Sequence, residues 1–213
     1  MLDIYNALFG RPLFEGMFMA GSLPLTVKLS ALGALVVVVT AVGYVALLYQ
    51  MQRSTQPPPI SSWLLWLALD AMLLLAAAGK GLLSIQMLTY TVGTALMCLV
   101  IYSRGVVTWT KNDSYTALCV ALSLATWFLV ADKTVAQVIA LAGITVATWP
   151  LVSAIVARDA DESWFAWSFF VAGSAAAYLD GEQLSGAWCG ALQVVLIGLI
   201  IVFPNDNTAQ ART

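Results

Sequence analysis

Asp70 is the only carboxylate well inside an apolar stretch of this chain, "ISSWLLWLALDAMLLLAAA" at Ile60 to Ala78. It lies seven residues after Trp63 and four after Trp66, which at helical spacing puts the three side chains on one stripe. An acid buried in a membrane by default marks a proton or ion pathway. Two rings beside a titratable acid are therefore expected to form one wall of a solute cavity. The other reading is an acid that holds helices together through a Ser, Thr or Gln partner.

Polar side chains that could complete such a cavity recur in the other apolar stretches. They are Thr40 and Tyr44, then Gln86, Thr89, Tyr90 and Thr94, then Gln137, Thr145, Thr148 and Ser153, then Ser168, Ser174, Tyr178, Ser185 and Gln193. If Gly93 and Gly190 occupy matching places, Tyr90 and Gln193 face each other across the molecule. Pro150 lacks an amide hydrogen, so it frees a backbone carbonyl and bends its helix. We therefore expect Trp63, Trp66, Asp70, Tyr90 and Gln193 to line a path and Pro150 to act as its hinge.

Other chemistry finds no tools. The chain has no histidine, which removes the commonest metal ligand and neutral-pH proton shuttle. Cys98, Cys119 and Cys189 each fall in apolar stretches as small hydrophobes, and there is no Cys-x-x-Cys and no phosphate-cradling Gly-rich loop. No lysine lies in the last apolar stretch to carry a retinal Schiff base. The expectation is a non-enzyme with no cofactor and no metal.

The elements that must position these residues are membrane helices. Of 213 residues 61% are hydrophobic and only 9% charged, far from a soluble composition. Net charge is -2 with no basic run, which argues against a nucleic-acid partner and leaves the lipid bilayer. Apolar stretches of the length a bilayer demands predict seven spans: Leu29 to Tyr49, Ile60 to Ala78, Leu82 to Tyr102, Tyr115 to Ala131, Thr134 to Ala157, Ser163 to Leu179 and Gln183 to Phe203. Residues 1–26, with polar groups interrupting Phe and Met, predict an interfacial segment and not a cleaved signal. The Lys and Arg bias favours an outside N-terminus and an inside C-terminus, through Arg53, Arg104, Lys111, Arg158 and Arg212 on the inner side.

One phrase occurs twice. "SSWLLW" at Ser61 to Trp66 and "ESWFAW" at Glu162 to Trp167 share Ser-Trp-x-x-Trp at an offset of 101 residues, and Gly79 and Asp180, in the turns that follow, are again 101 apart. Interfacial tryptophans could arise as two independent belts. The shared serine and shared turn favour duplication: an all-α, polytopic protein of two three-helix repeats, 27–104 and 133–204, joined by a linker helix in 105–132 and followed by a tail, 205–213. A duplicated bundle with its site between the halves is a recurrent transporter plan.

With "PPPISSWLLW", "TKNDSYTALCVALSLATW" and "GITVATWPLVSAIVARDADESWFAW", the chain resembles the PQ-loop superfamily, which includes the SWEET and SemiSWEET sugar transporters and bacterial seven-span proteins. The resemblance implies a 3+1+3 bundle in a bacterial inner membrane, N-terminus out and C-terminus in. Pro150 falls where the family's proline-glutamine motif lies, with Leu151 in place of the glutamine; the first span has no proline, and every asparagine lies outside the spans. The resemblance thus implies a fold and alternating access rather than a sugar. Two functions follow. One is a facilitator of a small polar solute, which calls for a cavity of a few hundred Å³ touching Asp70 or Tyr90. The other is a structural or accessory subunit, a homo-oligomer or part of a larger membrane assembly, with that space filled.

Overall fold

The computed structural model describes residues 30–54, 58–78, 84–105, 109–130 and 133–204. Among them the chain is wholly helical: α1 (Ala31–Arg53), α2 (Ile60–Ala78), α3 (Ile85–Ser103), α4 (Lys111–Leu129), α5 (Lys133–Ala147), α6 (Trp149–Val156), α7 (Trp164–Leu179) and α8 (Gln183–Val202). The expected interfacial segment 1–26, the tail 205–213, Lys80 and Asp132 lie outside the described residues.

Local chemistry starts the helices. Ser30, Ser84 and Ser163 each accept a hydrogen bond from a backbone N–H in the first turn of α1, α3 and α7, satisfying groups that a helix start leaves open. Thr110 and Asp113 form a reciprocal capping box. That box begins α4 at Lys111, four residues before the expected Tyr115.

Four helices are long and apolar enough to cross a membrane: α1, α3, the α5–α6 unit over Gln137–Val156, and α8. Apolar stretches of α2 and α7 add Ile60–Leu75 and Trp164–Leu179. At 16 residues, α7 is about 24 Å long. Outward positions carry bare hydrocarbon, with Val45, Leu99, Val195 and Ile201 all more than half exposed. A water-facing surface that apolar would be costly, whereas lipid accepts it. This is a helical membrane protein.

The expected fifth span is two helices. Thr148 separates α5 from α6, Pro150 stands in the first turn of α6, and the Leu151 N–H is taken by Ser62 Oγ of α2 at 3.1 Å instead of by the preceding turn. The helix is interrupted there because proline lacks the donor that would continue the ladder.

Neighbour relations repeat. In the first group α3 lies between α1 and α2; in the second α8 lies between α7 and the α5–α6 unit. Across the groups α1 packs along α7, and α2 along α5. α4 packs on α5 and touches α2, where Ser61 donates to Asp113 at 2.6 Å. Small residues permit the closest approaches. A Cβ at Gly93 would fall inside the Tyr44 ring, and one at Gly186 would lie 2.7 Å from the backbone carbonyl of Ser174.

Candidate functional site: an aromatic cavity around Asp70

The stripe on α2 points inward. Trp63, Trp66 and Asp70 are all buried, and all three line a cavity of about 60 Å³ where six helices meet. Tyr44 of α1, Tyr90 and Thr94 of α3, Ile144 of α5, Trp167 and Phe170 of α7, and Cys189, Leu192, Gln193 and Leu196 of α8 complete it. The five residues expected to line a path thus share one space. Its volume is far below a few hundred Å³ because six aromatic rings occupy the crossing. About four waters would fill it.

The rings form corners. Trp63 and Trp66 stand 5.1 Å apart between centroids at 83°, Trp66 and Trp167 6.1 Å apart at 74°, and Tyr44 meets Phe170 at 4.8 Å and 88°. Edge-to-face contacts of this kind are favourable and leave ring faces available. Trp66 is fixed by its N–H, shared between the Ile144 carbonyl at 3.2 Å and Thr148 Oγ1 at 3.3 Å, immediately before the α5–α6 interruption. Trp63 has no such partner: its Nε1 is buried and unpaired.

Asp70 has sparse company. Among the described residues its single hydrogen bond comes from Thr94 Oγ1 at 3.4 Å, and Thr94 in turn shares a bond with the Tyr44 hydroxyl at 3.0 Å. An ionised carboxylate can accept about four. Asp70 seals against no backbone group.

A second polar cluster closes the α3–α7–α8 side. Gln193 Nε2 donates to the Tyr90 hydroxyl at 3.0 Å, Ser174 donates to Gln193 Oε1 at 3.0 Å, and Tyr90 and Ser174 share a bond of 2.9 Å. Gln86 Nε2 reaches both hydroxyls at 3.4 Å. Residues from three helices, α3, α7 and α8, therefore build one network.

Both ends of the bundle are tied across the two groups. At one, Ser54 donates to Asp161 at 2.7 Å, and the Trp167 N–H donates to Glu162 at 2.8 Å, so a cavity ring is tethered to an acid at the end of the bundle. Burial and the neighbouring Asp161 push the Glu162 carboxyl up to about 7, against the Trp167 bond. At the other end Ser30 donates to Asp180, and Ser84 donates to Glu182 at 2.7 Å. Burial raises Glu182 above its ordinary value. Asp180 and Glu182 thus bind the serines that cap α1 and α3.

Some expected wall residues turn elsewhere. Thr89 and Ser168 donate back to carbonyls of their own helices, and Tyr178 is exposed. Pro150 is buried but does not line the cavity; its contact with the site runs through the helix interruption and Thr148. Trp167 and Phe170, not singled out as path residues, do line it. The repeated phrase pointed to Trp167, and Phe170 follows one helical turn later on the same stripe. No group of His, Cys, Asp and Glu able to hold a metal occurs among the described residues. No family model matches the chain, and no curated protein or solved structure gives a significant match.

Proposed function

We propose that this protein is a multi-pass membrane facilitator for a small polar solute, moved by alternating access through the cavity around Asp70. The proposed architecture is seven spans as 3+1+3, with α4 as the linker, the N-terminus outside and the C-terminus inside, on the PQ-loop plan. The single observation that carries this reading is a buried, under-bonded acid in a polar-aromatic cavity between two helix groups that are tied to each other at both ends. Such an arrangement suits an occluded state, in which breaking one set of ties opens one side.

The repeated neighbour order supports the duplicated bundle: exchanging the groups turns the α1–α7 contact into the α5–α2 contact. The interruption between α5 and α6 at Thr148 and Pro150 gives one group a discontinuity that α1 lacks. Uptake into proteoliposomes tests the proposal, with a panel of sugars, amino acids and organic cations and Asp70→Asn as control. Uptake of one class above empty vesicles, lost in the variant, is expected. Uptake equal to empty vesicles for every class sinks the carrier.

The small cavity favours a second reading, a structural or accessory subunit of a membrane assembly. It predicts a stable larger complex on mild solubilisation and no uptake.

A further inference from the structure

We propose that the cavity selects a small organic cation, an ammonium or guanidinium of few heavy atoms. As a statement about passage this rests on the facilitator reading; as a statement about binding it stands alone.

Charge gives the first argument. Among the described residues, Asp70 is the one carboxylic acid lining the cavity, and no lysine or arginine does. It is 95% buried, and among those residues its single hydrogen bond is the long one from Thr94. A buried carboxylate left in that state calls for compensation. A proton or a cation can supply that compensation; among solutes, an anion would meet repulsion and a neutral molecule would offer the carboxylate no opposite charge.

The walls give the second. Six aromatic rings surround the space; Trp66 meets Trp63 and Trp167 edge to face, while Trp63 and Trp167 stand 6.4 Å apart at 31° as two roughly facing sides. Ring faces carry negative electrostatic potential and attract alkylammonium and guanidinium groups, most strongly where water is excluded. A hard metal ion gains little there, since it needs several oxygens to replace its hydration. Besides Asp70, the side-chain oxygens of the lining are those of Tyr44, Thr94, Tyr90 and Gln193, all already hydrogen-bonded.

Size and polarity narrow the class further. Room for about four waters admits methylammonium or guanidinium and excludes a hexose. The unpaired Trp63 N–H in the same wall offers a donor, so a cation that also carries a hydroxyl or carbonyl fits better than a bare one.

The test is a titration of the purified full chain with millimolar methylammonium chloride and guanidinium chloride, read by tryptophan fluorescence. Sodium chloride and urea, the uncharged analogue of guanidinium, serve as controls. Saturable change with an organic cation and none with either control is expected. Asp70→Asn should weaken binding by about tenfold or more, Asp70→Glu should restore part of it, and Trp164→Phe, on the outer surface, should change nothing. Thermal unfolding in detergent establishes that each variant is folded.

No saturable response to either cation, an equal response to urea, or undiminished binding in folded Asp70→Asn overturns the proposal. Uptake separates the two ideas. A cation that binds but is not carried leaves the site standing and ends the facilitator. Carriage of a neutral solute with no cation binding does the reverse.

Discussion

The segments Ser61–Trp66 and Glu162–Trp167 share Ser-Trp-x-x-Trp, yet of those three matched residues only the last has the same surroundings in both. Trp66 and Trp167 are both buried in the cavity wall, 6.1 Å apart between centroids. Trp63 lines the cavity at 2% exposure, whereas Trp164, its counterpart, is 47% exposed on the lipid-facing side. Ser62 reaches across to the amide of Leu151 at the α5–α6 interruption, while Ser163 caps its own helix. Ser61 binds the linker helix through Asp113, and Glu162 holds the Trp167 indole. Like sequence fixes helix phase; neighbours decide what each position does.

That comparison breaks first at the tryptophans. Trp66→Ala or Trp167→Ala should cost about 3–5 kcal/mol, the range for emptying a large aromatic site. Trp164→Ala should stay within about 0.5 kcal/mol, as an exposed substitution does. Thermal unfolding in detergent reads all three. Equal losses at Trp164 and Trp167 would mean that the asymmetry between the segments is false.

The paired glycines sharpen it next. An added methyl at Gly93 collides with the Tyr44 ring, but at Gly190 it meets Ser174 Cβ at an ordinary 3.4 Å. Gly93→Ala should therefore destabilise by about 1–3 kcal/mol, the cost of overpacking. Gly190→Ala should be near neutral. It should also leave cation binding intact, whereas Gly93→Ala displaces Tyr44 and through it Thr94, the hydrogen-bond partner of Asp70.

The two serines differ less. Ser62→Ala strands the Leu151 N–H at the α5–α6 interruption and should cost about 1–3 kcal/mol. Ser163→Ala removes an N-cap, worth about 1 kcal/mol. A double variant with Pro150→Ala gives the more specific readout: with the proline gone, the ladder of the fifth span can close without the serine, so the Ser62 effect should shrink.

Acid dependence gives the smallest effect. Glu162 holds its proton more tightly folded than unfolded, since burial raises its carboxyl to about 7. Its contribution to stability is therefore complete below the ordinary carboxylate range and is lost as pH rises through about 7. Glu182 is shifted in the same direction. The melting temperature should fall between pH 5 and pH 8, and Glu162→Gln should flatten that fall. A melting temperature that rises over this interval would contradict the sign.

The stripe Trp63, Trp66 and Asp70 was legible because helical periodicity places such residues together whatever surrounds the helix. The interruption of the fifth span was legible too, since a proline cannot donate. Tyr44 and Thr94 were visible only as two polar residues among many; what distinguishes them is the close approach of α1 to α3 over Gly93. Cys189 and Leu192 carried no signal. Their place in the wall comes from the rotation of α8 against α7.

By itself, then, the sequence determined a helical membrane protein, the phase of each apolar helix and the isolation of one acid, because hydropathy and backbone geometry act locally. Tertiary structure alone decided that rings from α1, α2, α3 and α7 meet around that acid, that one tryptophan of a repeated pair faces outward, and that the space left is small. Those outcomes depend on how closely backbones approach and on which side chains then compete for the same volume, and neither is a property of any single segment.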